Sequence, residues 1–444
     1  MVPRNRLLLW TALVVLPFSV LAVTSRAGFF SAAIAIGAFF LLVLVDAIRG
    51  ARSLRGFQLA PPSLVRLQKN RPGEIELTVR MQPALSRLLR IGLALPASLE
   101  TAETDRLVHL PADSASARVA WPCTPTKRGQ FWLRGAALET ASQLGFWAFR
   151  RQQKLETEIR VYPNLHEERR QVAALFLRHG RLGVHAQRHA GQGREFEKLR
   201  EYMAGDILSE IHWKASARRG SLVTKVFQVE RTHEVYVVVD TSRLSARPCY
   251  PDKESVSAME RYVTAALILA FAAEQQGDQF GLITFSDRVH SFVRARSGPS
   301  HLDACRDRLY ALQPSDVSPD FEELFALVRL RLRKRALLVV LTALDDPVLS
   351  ESFVKASSLV SRQHLLLVNM LQPPGVGPLF SSTQSPGDIE GIYQALGGHL
   401  QWQKLRELQK VLQYRGVRLS FLDPATLSSD LLSQHSDARA RSLV

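Results

Sequence analysis

The chain has 444 residues, 46% of them hydrophobic and 22% charged, a composition that builds hydrophobic cores and excludes wholesale disorder, at a length suited to two or three domains. Lys and Arg number 57 against 41 Asp and Glu, a formal charge of +16; such an excess suits nucleic acid, an anionic membrane surface or an acidic protein without choosing among them. Three widely spaced cysteines, Cys123, Cys249 and Cys305, form neither a disulfide framework nor a zinc pair and fit a reducing compartment.

Residues 7–23 are apolar apart from Thr11 and Ser19, and residues 28–45 apart from Ser31. Each run is near the ~17–25 residues that cross a bilayer. A signal peptide is the competing reading of the first run, which is short and carries Pro17, but no clear small-residue cleavage site separates the two runs. Thr24-Ser25-Arg26-Ala27 reads as a tight turn between them. Arg4 and Arg6 precede the pair and Arg49, Arg52 and Arg55 follow it, against Arg26 alone in between. By the positive-inside rule residues 1–50 are then a transmembrane hairpin with both ends, and all that follows, in the cytoplasm.

Residues 56–165 carry short alternating runs broken by Pro and Gly. Residues 74–80, 118–121, 130–133 and 157–161 alternate polar and apolar as half-buried strands do, which predicts a small β-sandwich or barrel. Residues 166–233 form a dense linking segment. From 234 to 444 strands and helices alternate. The near-continuous apolar run closed by Asp240 predicts a strand buried on both faces. Further strands are expected at 280–285, 337–342, 364–370 and 417–422, with helices at 257–276, 301–312, 320–331, 349–361 and 401–414 and a long loop at 372–387. This is the pattern of a doubly wound α/β domain, whose ligands bind at the carboxyl ends of the strands.

Asp240 stands at such an end, followed by Ser242, and an Asp and a hydroxyl two residues apart offer hard oxygen ligands to Mg²⁺. The pair resembles the start of the metal-ion-dependent adhesion site of von Willebrand factor A-like domains, Asp-x-Ser-x-Ser. Leu244 replaces the last Ser, Ser245 comes one step late, and Ala343 stands where an Asp is usual after a later strand. Asp240 and Ser242 are therefore expected to be the remnant of a metal site, with Mg²⁺ bound weakly or not at all and no other cofactor.

The densest motif spans residues 191–222. It resembles the signature of the bacterial family known as domain of unknown function 58, Gly-x-Gly-x-Glu-Phe-x-x-Leu-Arg-x-Tyr-x-x-Gly-Asp followed by Ile-Asp-Trp-Lys-x-x-Ala-Arg. Here it is carried by Gly191, Gly193, Glu195, Phe196, Leu199, Arg200, Tyr202, Gly205, Asp206, Ile211, Trp213, Lys214, Ala217, Arg218 and Leu222. His212 replaces the usual Asp, and Ser209-Glu210 stands where Arg is usual. Lys127-Arg128-Gly129 and Leu144-Gly145-Phe146 extend the resemblance through the β-rich segment. The resemblance implies a protein of the bacterial inner membrane: a helical hairpin, a β-sandwich-like domain and an A-like domain. It further implies a non-enzymatic adaptor that acts with a MoxR-type AAA+ ATPase. The alternative is a nucleic-acid-binding or hydrolytic protein using the basic surface; interleaved carboxylates in the signature argue against a phosphate ligand, so no nucleic acid is expected. Trp213 is expected to be buried, with several of Glu195, Arg200, Asp206, Lys214 and Arg218 paired around it.

Other patterns point to no chemistry. His179, His185 and His189 lack an interleaved acid or Cys. His166-Glu167-Glu168 lacks a zincin's second His, and no phosphate-binding Gly-x-x-x-x-Gly-Lys run exists. Arg329, Arg331, Arg333 and Arg335 read as a solvated helix end.

Overall fold

The structure, a computed structural model, describes all residues except 25, 52, 53, 55, 82–86, 111–115, 167–189, 204–207, 209, 210, 229–232, 251, 252, 380–388 and 441–444. Gly205, Asp206, the three clustered histidines, Glu167 and Glu168 therefore lie outside the described residues, as does the second half of the 372–387 loop. The chain divides into two compact units, Met1–Asn164 and Leu165–Val444.

After a two-residue strand, Val2–Pro3, that pairs with Trp147 and Ala148, the first unit has two helices, α1 (Asn5–Thr24) and α2 (Arg26–Ala51). Both are long and apolar enough to cross a membrane, and most of their surface is left uncovered by protein. Nine strands follow: β1 (Phe57–Ala60), β2 (Leu64–Gln68), β3 (Gly73–Met81), β4 (Arg87–Leu93), β5 (Leu99–Glu100), β6 (Asp105–Leu110), β7 (Ser116–Pro125), β8 (Gly129–Ala141) and β9 (Trp147–Tyr162). One sheet runs β9-β8-β4-β6 with β2 parallel to β9, and the other runs β1-β3-β7-β5. The alternation in β3 sends Ile75, Leu77 and Val79 inward, where they share one core with Leu89, Ile91, Leu133 and Ile159 of the other sheet.

The turn between β8 and β9 explains Leu144-Gly145-Phe146. Phe146 lies edge-on to Phe39 of α2, and its carbonyl accepts the Arg4 N–H at 2.9 Å. The Leu144 N–H donates to the buried carboxylate of Asp46 at 3.1 Å. Gly145 adopts φ +76°, a left-handed conformation open to Gly at little cost.

The second unit begins with an antiparallel ladder, β10 (Ala190–Glu201) with β11 (Val223–Gln228), and the short helix α3 (Trp213–Arg219) between them. The segment expected as a linker thus carries regular structure. Six strands then form the main sheet: β12 (Glu234–Asp240), β13 (Gln279–Phe285), β14 (Val289–Arg296), β15 (Leu337–Leu341), β16 (Leu365–Leu371) and β17 (Val417–Leu422). Their order is β14-β13-β12-β15-β16-β17. All are parallel except the edge strand β14.

Six helices accompany this sheet: α4 (Ala258–Gln275), α5 (Pro299–Leu309), α6 (Phe321–Arg331), α7 (Pro347–Val360), α8 (Ile389–Tyr414) and α9 (Leu427–Ala440). Val235, Val237 and Val239 of β12 belong to one core with α4, α5 and α9, while Tyr236 and Val238 belong to a second with α6, α7 and α8. Both faces of β12 are buried, hence its unbroken apolar run. Each such side chain contributes ~1.5–3 kcal/mol of transfer free energy. α8 starts twelve residues before the expected 401, passing through Gly397 and Gly398. Gly398 is required by close approach: a Cβ there would stand 2.0 Å from the Gly375 carbonyl oxygen.

Candidate functional site

At the carboxyl end of β12 the chain gathers polar groups beneath three loops. Asp240 is buried, and burial raises its pKa against the opposing hydrogen bonds from Thr342 and Ser242. The Thr342 hydroxyl donates to Oδ2 at 2.6 Å, and the Ser242 N–H donates to Oδ1 at 2.8 Å. Thr342 is there because β15 pairs in parallel with β12: Val239 lies opposite Leu341, so the next residues, Asp240 and Thr342, also meet. The Ser242 Oγ accepts the Leu244 N–H at 3.3 Å, and the Ser245 hydroxyl donates to the Ser242 carbonyl at 2.7 Å. The neighbouring loops are fastened to the same place. Ser315 donates to the Thr241 carbonyl through both its N–H and its hydroxyl, and Arg247 spans both Asp345 oxygens at 2.8 and 2.7 Å.

This donor set fits a divalent cation poorly. Asp240 is its one carboxylate and both its oxygens hold donors of the chain; Leu244 fills the place of a third ligand and is itself buried. Ser245, one step late in the motif, turns its hydroxyl to backbone. Opening the set to an ion would break these bonds in a buried position. Asp240 and Ser242 organise the loops, and Thr342, just past β15, completes the arrangement.

Nearby, Ser286 Oγ stands 2.7 Å from His290 Nε2. The pair lacks the order of nucleophile, base and orienting acid: Asp287 approaches the same Nε2 at 4.0 Å, and Ser286 is fully buried and also bonds Asp287. Among the described residues no group of three or more His, Cys, Asp and Glu is placed to hold a metal.

The signature segment differs from expectation. Trp213 is 66% exposed rather than buried, and Lys214 and Arg218 are exposed with it. The reason is local. α3 docks through Ser216, whose hydroxyl accepts the Val223 N–H at 2.9 Å and donates to the His212 carbonyl at 3.1 Å; that contact turns Trp213 outward. His212, the departure from the signature's Asp, acts as N-cap, its Nδ1 accepting the Ala215 N–H at 3.1 Å. An Asp at that position supplies the same acceptor, so this substitution conserves the cap. Arg200 and Tyr202 are half-buried on and just after β10; Gly193, Glu195 and Phe196 lie in β10. Around Trp213 in sequence, Met203 (64%), Leu208 (69%) and Leu222 (46%) are also exposed. Patches of large apolar side chains on a surface are uncommon unless something covers them.

A mainly parallel sheet with helices on both faces and an Asp closing one of its inner strands defines an α/β domain, here following a pair of long apolar helices. Residues 198–376 match the family described as "Protein of unknown function DUF58". The chain is 27% identical over 213 residues to "Uncharacterized protein YeaD" of Bacillus subtilis (strain 168), covering 46% of this chain. It spans about half the length of that curated relative, 52%. Among solved structures, an aerotolerance-related membrane protein from Bacteroides fragilis is similar at 16% identity over 46% of this chain and 97% of that one, with a TM-score of 0.30. The conserved hypothetical protein BatB from Bacteroides thetaiotaomicron is similar at 15% identity over 47% and 99%, with a TM-score of 0.29.

Proposed function

We propose that this protein is a membrane-anchored, non-enzymatic adaptor whose signature segment and A-like domain bind a protein partner, a AAA+ ATPase of the MoxR type. In this reading α1 and α2 span the bacterial inner membrane with the soluble domains in the cytoplasm, the nine N-terminal strands form a β-sandwich, and the A-like domain is doubly wound and works without a bound ion. The observation that carries it is the exposure of Trp213, with Met203, Leu208 and Leu222 of the same segment exposed as well. Tryptophan is the side chain most often dominant in protein interfaces, because it excludes much water at little conformational cost. It sits on a capped helix held by Ser216, so the surface is pre-arranged. The self-satisfied Asp240 cluster supports the same reading, since it fixes the loops of the A-like domain with groups that an ion would otherwise need.

Affinity purification of the full chain from solubilised membranes, with mass spectrometry, tests this. The wild type is expected to retain a AAA+ ATPase, and Trp213→Ala to lose it at least tenfold while its melting temperature stays within about 2 °C, as for a surface substitution. Retention undiminished in Trp213→Ala would remove the signature from the interface.

A further inference from the structure

We propose that the end of the six-stranded sheet opposite Asp240 docks on the anionic lipid surface of the membrane; the inference rests on reading α1 and α2 as the hairpin that holds the chain there. The parallel strands all begin at this end, so the segments that lead into β15 and β16 meet at it, together with the carboxyl ends of α6 and α7. The first segment supplies Arg329, Arg331, Arg333, Lys334 and Arg335, and the second supplies Arg362. All six are exposed, and none forms an ion pair with a described carboxylate. The two segments touch at His364, which is buried; burial and then the charge of Arg335 hold its imidazole below the ordinary value.

The helix dipole of α6 accounts for Arg329 and Arg331, but the cations continue beyond the helix through Arg335 and reappear at Arg362. Acids at this end include Glu234, Glu274, Asp437 and Asp303, the last paired with Arg306 at 3.1 Å, with Asp278 buried against His435 at 3.2 Å; they belong to β12, α4, α9, α5 and the turn before β13. Leu330, in the middle of the basic run, is 76% exposed. An exposed Leu flanked by Arg suits the boundary between headgroups and acyl chains. Single-stranded nucleic acid would instead call for aromatic platforms between the cations, and residues 329–335 contain none. A hairpin in the same chain keeps the local concentration of lipid high, so a modest attraction per Arg is enough.

The test uses the full chain in nanodiscs, labelled at Gln363→Cys, an exposed position beside Arg362. The native cysteines do not compete, because all three are buried and burial pushes each thiol up to about 11. Energy transfer from this label to a headgroup-labelled lipid is expected to be several-fold higher in discs containing about one-third phosphatidylglycerol than in phosphatidylcholine discs. It should collapse in about 1 M salt, where the Debye length falls to about 3 Å, and in the variant R329E/R331E/R333E/R335E. If that variant does not fold, the salt titration of the unreversed chain carries the test. Transfer independent of lipid charge would overturn the proposal. So would binding of an RNA oligonucleotide to the chain in phosphatidylcholine discs, with no lipid-charge dependence of transfer, because the basic end would then belong to nucleic acid. Co-fractionation with phosphatidylcholine discs reports on the hairpin alone and separates its failure from that of the basic end.

Discussion

Burying the Asp240 carboxylate costs free energy that its two donors return only in part, which is why its proton is held more tightly in the folded chain than in the unfolded chain. The sign follows from linkage. An unfolded Asp titrates near 3.9; the raised folded value means that protonation favours the native state, so this residue's contribution improves as the pH falls from neutrality and is lost as the pH rises through the folded value. An amide can accept from the Ser242 N–H and donate to the Thr342 hydroxyl. Asp240→Asn is therefore expected to melt at or above the wild-type temperature at pH 7 and to lose the acid-side gain. Asp240→Ala leaves the N–H and the hydroxyl unpaired and should cost about 1–3 kcal/mol. Thermal denaturation at pH 7 and pH 5 distinguishes them. Equal damage from both substitutions would mean that the negative charge itself is needed.

At the scale of elements, the antiparallel edge of the main sheet is fastened by one side chain. Tyr236 of β12 crosses Gly281 of β13, stacks on Phe292 of β14 at 6.0 Å, and accepts the Ala295 N–H at 3.1 Å through its hydroxyl. Burial pushes its phenol up to about 12. A Cβ on Gly281 would stand 2.4 Å from the Tyr236 ring and 3.0 Å from the Ala295 nitrogen. Gly281→Ala should accordingly destabilise by about 1–3 kcal/mol, as overpacking does. In a Tyr236→Leu background the same change should cost less, and denaturant titration of the four chains measures the coupling. Additive losses would show that Tyr236 is not what Gly281 makes room for.

The central strands were legible because a strand buried on both faces writes itself as an unbroken apolar run, as at residues 235–239 and 337–341. β14 was not: Val289–Arg296 places Arg, His and Ser on an edge where little needs to be apolar. Nor was α9, whose few inward residues Leu427, Leu431 and Leu432 are outnumbered by polar ones, two of which, Gln434 and His435, are buried. α8 was expected only from 401, whereas it runs through Gly397 and Gly398, one of which serves a close contact. In the site, Asp240 and Ser242 could be found from their spacing. The role of Thr342 could not, since it depends on strand pairing between residues 102 apart in sequence. Trp213 was misplaced because an aromatic among charges has one sequence pattern whether it anchors a core or faces outward; the small Ser216 beside it decides the matter.

Over the whole molecule the charge of the α/β domain is divided. Helices α6 and α7 begin at the Asp240 end with Asp320, Glu322, Glu323 and Asp346, while the other end carries the run from Arg329 to Arg335. Which way the chain is oriented follows, in our reading, from the Arg residues flanking α1 and α2. A reporter fused after Arg55 should be active in the cytoplasm, and one inserted between the two helices should be active on the far side; the reverse pattern would invert the topology and remove the proposed ATPase from reach.

The order of the elements along the chain also sets an order in time. Synthesis delivers α1 and α2 before β12, but the core on one face of β12 also includes Leu427, Leu431 and Leu432 of α9. At ~5–20 residues per second these arrive roughly 10–40 s after Asp240. Throughout that interval the core on this face, already holding α4 and α5, lacks its last members, on a polypeptide whose two most apolar segments have already emerged. The core on that face is therefore complete only once α9 is made.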